Sequence, residues 1–325
     1  MSDENEDPRE VAWHPRFVPQ VIGHGAAQAH FAQAFAAGKL HHAWLITGPK
    51  GIGKASLAYK FAAQVLGQKN LAQSERWIAA RAHPDLFVLE RQLNDSKPRK
   101  LKAEISVDNA RGLSEFFSHT SSGGWRVGLV DAADDLSSES ANALLKLVEE
   151  PPAQCLILLV CHNPGRLLRT MKSRCTRLAL RELSETEVNQ VVLALPLEKT
   201  PALDQIEMAA RLSAGSPGRA LQLLSSDGAK AFDLYVKTPK WSNSAIASFG
   251  SKFGGRATTI DDFNLFSDLL LNWVGNQAGA KAHLKLAEAH SKITENIRLT
   301  NAFNLDRRQA VIAAISLVND ALKAA

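Results

Sequence analysis

An α/β domain built on a parallel sheet, followed by a wholly helical region, is the fold this sequence predicts, and three observations carry it. Short apolar runs alternate with helical stripes as far as about residue 180. A G-x-x-x-x-G-K run, residues 48–54, lies directly between one such strand and the helix after it. Beyond about residue 182 the strand signal stops and only helical spacing remains.

The elements follow in order. Residues 1–20 read as a flexible lead-in, acidic and polar at MSDENEDPRE, with no apolar core of a signal peptide. A helix is expected over about 25–38, stopping near Gly38, and then a buried strand at Ala43-Trp44-Leu45-Ile46. After the glycine-rich turn, Leu57, Phe61 and Val65 fall at i, i+4, i+8, a stripe ending at Gly67. Further strands are expected at Leu86–Leu89, Val127–Val130, Leu156–Val160 and Arg177–Leu180. Between the Val127 and Leu156 strands lies a helix, Ser138 to Glu150, with a core face of Ala141, Leu144, Leu145 and Val148, ended by Pro151-Pro152. The segment Leu93–Ala103, with Lys97, Arg99, Lys100 and Lys102, reads as a solvated basic loop. Residues 183–226 read as short helices broken at Pro196, Pro201 and Gly215-Ser216-Pro217-Gly218. A looser Ser- and Gly-rich stretch over about 238–258 leads into long helices, the last with Val311, Ile315, Val318 and Leu322 on one face. The domain reading is a lead-in over 1–20, an α/β domain over 21–181, a small helical domain over 182–230 and a helical C-terminal domain over 231–325.

Composition bounds the function. The 325 residues carry 38 Lys and Arg against 33 Asp and Glu, a dispersed excess that permits nucleic-acid contact without requiring it. Three cysteines without C-x-x-C spacing argue against a disulfide framework and fit a reducing cytoplasm. No run approaches the roughly 20 apolar residues of a membrane span.

The chemistry centres on Gly48-Pro49-Lys50-Gly51-Ile52-Gly53-Lys54. Glycines let backbone amides close around phosphate, the following helix adds its N-terminal dipole, and Lys54 adds a point charge. The residue after that lysine should be Ser or Thr, whose hydroxyl holds magnesium; here it is Ala55, with Ser56 one place on. One step along a helix turns a side chain by roughly 100°, so Ser56 does not simply replace it. The strand Val127–Val130 ends at Asp131, placed as a metal-binding acid, but Ala132 follows where a water-activating Glu is needed. Asp134 and Asp135 read as helix-entry residues. Metal binding and water activation are both impaired, and whether ATP or ADP still binds, weakly or not at all, stays open.

These residues resemble the bacterial DNA polymerase III clamp-loader family of AAA+ proteins. The similarity lies in Leu40-His41-His42-Ala43, in Val127 to Asp134, in Ala141 to Pro152, and in Ser173-Arg174-Cys175, the "SRC" motif. Leu305-Asp306-Arg307-Arg308 and the helix after it resemble the family's collar. The altered loop and missing Glu fit the delta-prime branch, because the gamma and tau motor branch keeps both.

The resemblance implies a P-loop AAA+ domain, a helical lid and an all-α collar. It implies that Arg174 is an arginine finger acting in trans on a neighbour's γ-phosphate; Cys175 beside it reads by itself as a small buried hydrophobe. Arg219 stands at the sensor 2 position, with a structural role equally open; His162 or Asn163 lies in the sensor 1 region. His41 and His42 read as packing or capping residues rather than metal ligands. No zinc is expected, since no Cys lies between residues 67 and 100. The implied partners are gamma/tau motor subunits and delta in a hetero-pentameric clamp loader, the sliding clamp and primer-template DNA. Two other readings are an active AAA+ ATPase and a nucleic-acid-binding protein on an inherited P-loop fold. The first requires Ser or Thr at 55 and an acid at 132; the second requires salt-sensitive DNA binding by the isolated chain.

Overall fold

Side chains alternate across a strand, so a strand buried on both faces must be apolar at every position. Cys155–Cys161 meets that condition at all seven residues and forms the centre of the sheet. The computed structural model describes residues 11, 13–18, 20–94, 99, 101–119, 124–197, 200–238, 240–254, 259–281 and 283–323. Most of the lead-in read over 1–20, and Lys97 and Lys100 of the basic loop, lie outside the described residues.

Five strands, β1 (Ala43–Thr47), β2 (Leu86–Glu90), β3 (Arg126–Asp131), β4 (Cys155–Cys161) and β5 (Thr176–Ala179), form a sheet in the order β2-β3-β4-β1-β5. Every pairing is parallel. Thr47 lies opposite Cys161 on one side and Ala179 on the other, and Asp131 opposite Val160 and Glu90. Helices cover both faces, as parallel crossovers require. On one face, α1 (Gly25–Ala36), α2 (Lys54–Leu66) and α3 (Leu71–Ala79) pack on Trp44, Ile46, Leu156, Leu158 and Val160. There Phe31 and Phe61 stack with centroids 3.8 Å apart. On the other, α4 (Val107–Ser118), α5 (Ser138–Glu149) and α6 (Arg169–Ser173) pack on Leu45, Ile157, Leu159 and Cys161.

Several expectations shift. α5 buries Ala141, Leu144, Leu147 and Val148, so Leu147 takes the place expected for Leu145, which is only half-buried. The cause is that α5 packs on both the sheet and α4, which widens its buried arc beyond one stripe. Residues 14–17, inside the segment read as a lead-in, are tied down. His14 begins a 3₁₀ turn, Pro15–Phe17, and Arg16 is buried with Nε donating to Ala79 O at 3.1 Å. α3 and α4 carry no uninterrupted apolar stripe, and the sequence did not mark them.

The chain divides into two compact units, Met1–Thr200 with Ala214–Gly218, and Pro201–Ser213 with Arg219–Ala325. The first also holds α7 (Glu185–Ala194), opened by a capping box in which Ser184 and Glu187 satisfy each other's backbone amides. The second consists of helices: α8 (Leu203–Leu212), most of α9 (Pro217–Ser225), α10 (Asp227–Lys237), α11 (Asn243–Ser251), α12 (Ile260–Lys281), α13 (Leu284–Phe303) and α14 (Arg307–Lys323). The helices break between Leu212 and Pro217, at the expected Gly215–Gly218 run, and Pro217 takes the first position of α9, where a missing N–H costs nothing.

The stretch read as loose over 238–258 contains α11. Ser242 caps it by accepting from Ala245 N at 3.2 Å, and Ile246, Phe249 and Phe253 are buried in an aromatic cluster with Phe263 and Phe266. Its Ser and Gly content masked a helix made by packing. In α14, Val311, Ile315 and Val318 are buried as expected, but Leu322 is exposed and Ala321 turns inward. No described helix is long and apolar enough to cross a membrane.

Candidate functional site

The loop after β1 emerges where β1 is flanked by β4 and β5, the place where open parallel sheets bind ligands. Gly48 has φ +144°, and a Cβ there would lie 2.6 Å from Leu180 O, so only glycine lets the loop pass the end of β5. Outside contacts fix the loop. His24 Nε2 donates to Ile52 O at 2.8 Å, Ser216 Oγ to Lys50 O at 3.0 Å and Gly218 N to Gly51 O at 2.9 Å. These three pins hold loop carbonyls. Their pinning role is not legible in the sequence, because they come from 28 residues upstream or at least 166 residues downstream, and Gly218 acts through its backbone.

Lys54 opens α2 and is buried, with 3% exposure. Its Nζ donates to Gly48 O at 2.7 Å and Pro49 O at 2.5 Å, folding the ammonium back on its own loop. Burial lowers its pKa to about 8, against the opposing pull of Asp131 and Asp134. Ala55 and Ser56 follow, both half-buried.

Asp131 ends β3 at this same edge of the sheet. Burial, reinforced by Glu90, raises its carboxyl to about 6 in spite of Lys54. Ala132 beside it is buried and bears no polar group. Asp134 is not simply a helix-entry residue. It lies in a 3₁₀ turn, Ala133–Asp135, and its two oxygens accept from His162 N at 2.8 Å and Asn163 N at 2.9 Å, joining the ends of β3 and β4. Burial alone would raise its pKa; the two amides outweigh that and hold it low. His162 is kept neutral first by burial and then by Lys54, and its Nδ1 is buried with no partner among the described residues. Asn163 turns its side chain to Gly165 N at 3.1 Å.

Glycines, a helix N-terminus and a lysine make a cradle that fits a phosphate group. Beside that cradle, position 55 offers no side-chain oxygen, and Asp131 is the carboxylate at the end of β3. Among the described residues no group of three or more His, Cys, Asp or Glu is arranged to hold a metal.

Arg174 is elsewhere. It caps α6 just ahead of β5, whereas the glycine-rich loop follows the far end of β1, which runs parallel to β5. Trp44 pairs with Thr176 and Thr47 with Ala179, so strand rise alone puts the two ends roughly 10 Å or more apart. The Arg174 side chain is 42% exposed; one Nη donates to Thr170 O at 3.1 Å and the other lies 3.1 Å from Glu149 Oε1. His42 belongs to that same end, with Nε2 bonded to Val148 O at 2.8 Å and its ring stacked on His41. Cys175 is half-buried rather than buried; its thiol donates to Met171 O at 3.1 Å, and burial raises it to about 11. Arg219 is half-buried in the first turn of α9, within the second unit.

A family model described as "DNA polymerase III, delta subunit" matches residues 23–184. The delta-prime subunit of DNA polymerase III from Pseudomonas aeruginosa is 38% identical over 205 residues, 60% of each chain. The delta-prime subunit from Escherichia coli is 36% identical over 229 residues, 68% of this chain and 64% of that one. The chain belongs to the DNA polymerase III delta-prime family. The matches span about three-fifths of the length of these delta-prime relatives. The tau subunit from Escherichia coli is also similar, at 26% identity over 214 residues, 65% of this chain and 33% of the tau chain.

For this delta-prime family member, the sheet thus brings together residues 48–56, Asp131 and Asp134 at one edge and sets Arg174 at the other. Two residues of the site went unread in the sequence: Asp134 as the clamp on β4, and Glu149 as the partner of Arg174. The spacing of Asp134 from a strand end three positions earlier is too common to signal a clamp.

Proposed function

We propose that the chain serves as a delta-prime-like subunit of a clamp loader, working in the cytoplasm beside gamma/tau-type motor subunits and delta to place a sliding clamp on primer-template DNA. It hydrolyses no ATP itself. Its own loop lacks the hydroxyl at 55 that would hold magnesium and the carboxylate at 132 that would activate water. Nucleotide, if it enters, is a passive ligand of Gly48, Pro49, Lys50, Gly51, Ile52, Gly53, Lys54, Ala55 and Ser56, with Asp131 and Arg219 as further contacts. Residues 182–230 act as a lid and residues 231–325 as the collar that joins the ring.

Arg174 is the catalytic contribution, an arginine finger offered in trans. The observation that carries this reading is its place at the end of the sheet opposite the chain's own loop, with an exposed guanidinium. An arginine there is out of reach of a phosphate at Gly48–Lys54 and free to meet one held by another subunit. A guanidinium suits that task, since it stays charged and can bond two phosphate oxygens at once.

The test is clamp loading onto primed DNA by a reconstituted complex, with this chain present, absent or added back. Loading that depends on the chain, and that survives Lys54→Ala, is the expected result. Loading that proceeds equally well without it removes the proposal.

A further inference from the structure

Glu149 ends α5, where the helix dipole is negative and a carboxylate is disfavoured; Glu150 follows at the cap. Neither acid helps the helix. Glu149 instead reaches across to α6, its Oε1 3.1 Å from Arg174 Nη2, while Thr170 O accepts from Nη1 at 3.1 Å. Two N–H groups of the guanidinium are thereby fixed from two directions, one by a backbone within its own turn and one by a side chain on a different helix. Both side chains stay close to half exposed, at 42% and 40%, so the pair remains accessible to solvent.

An exposed ion pair adds little stability. What this one does is limit the rotamers of a long side chain that would otherwise lose its freedom only on meeting its target. Thr170 O alone restrains one end of the guanidinium and leaves rotation about that bond; the Glu149 carboxylate removes it.

Resting on the in-trans reading of Arg174, we propose that Glu149 is a positioning residue for it. Glu149 holds the guanidinium in one orientation before the neighbouring subunit docks. Through Arg174 it raises the rate of the chemical step on the neighbour's nucleotide without touching that nucleotide. Lys146 on α5 and Glu150 at its cap make no hydrogen bond or ion pair with Arg174 and are not part of the device.

The experiment is pre-steady-state ATP hydrolysis by the reconstituted complex carrying full-length wild-type chain, Glu149→Ala, Glu149→Gln, Arg174→Ala or the double substitution. The phase that Arg174→Ala removes reports the site facing this chain. Glu149→Ala is expected to slow that phase about three- to tenfold, as a misplaced catalytic group does, with nucleotide KM and complex assembly unchanged. Glu149→Gln, which keeps an acceptor at the same reach, restores part of the rate, and the double substitution is no worse than Arg174→Ala alone. An unchanged rate in Glu149→Ala, a faster one, or effects that multiply in the double variant would overturn the positioning role. If Arg174→Ala itself removes no phase, it is the in-trans reading that fails.

Discussion

The ammonium of Lys54 lies 2.7 Å from the carbonyl oxygen of Gly48, so the charge that a phosphate cradle needs is spent on the cradle itself. Nothing prevents a phosphate from competing for it. The competition is uneven because the group is buried and its pKa has fallen to about 8.

That depression has a sign in stability. With a folded pKa below the unfolded value, the unfolded chain binds more protons between about pH 8 and 10.5, and stability rises with pH there. Relative to Lys54→Met, the wild-type chain is expected to gain about 2 kcal/mol between roughly pH 7.5 and 9.5. Urea denaturation of both proteins across that range checks it; parallel curves would show an ordinary lysine.

Asp131 runs the other way. Its folded pKa, raised to about 6, means that the folded chain holds more protons between about pH 4 and 6. Stability therefore falls as pH rises through that window, and the cost is full above it. Asp131→Asn removes the cost and is expected to stabilise the chain at pH 7 by up to about 3 kcal/mol, the equivalent of the two-unit shift. A less stable Asn variant at pH 7 would show instead that the ionised carboxylate is well compensated.

Asp134 should be costly to remove. Its carboxylate satisfies the amides of His162 and Asn163, and Asp134→Ala leaves both without their partner. A loss of about 2–4 kcal/mol is expected, measurable as a lower denaturant midpoint. Because its pKa is lowered, this contribution is present above the unfolded value near about 4 and fades as pH falls through the folded one.

In the helical unit, Asp262 joins α12 to the start of α10: it accepts from Ser226 Oγ at 2.7 Å, Gly228 N at 3.1 Å and Thr259 Oγ1 at 2.8 Å. Partial burial opposes ionisation, and these donors overcome it, holding the carboxyl at about 2. Asp262→Ala is expected to cost about 1–2 kcal/mol and to lower the melting temperature, by loss of a cap shared between two helices. An unchanged melting temperature would mean that solvent replaces every one of those bonds.

Much of the fold was legible. The five strands stand within a residue or two of their expected places, because a sheet buried on both faces writes itself as apolar runs such as Leu156–Val160. The motif residues were equally plain, since Gly48 and Lys54 carry their meaning in fixed spacing. What escaped was set by partners distant in sequence. α11 is a helix because Ile246 and Phe249 are buried, Phe249 against Phe266, not because its Ser and Gly favour one. Glu149 faces Arg174 only once α5 and α6 pack together. The separation of Arg174 from the glycine-rich loop depends on strand order, which no local pattern encodes.

The most direct measurement is pre-steady-state ATP hydrolysis by the isolated chain and by complexes reconstituted with wild-type or Arg174→Ala chain. No turnover is expected from the chain alone. One phase of the complex is expected to slow on the order of 10³-fold in Arg174→Ala, with assembly intact. Motor-like turnover by the isolated chain, or an unaltered set of phases in the Arg174→Ala complex, would contradict the proposed function.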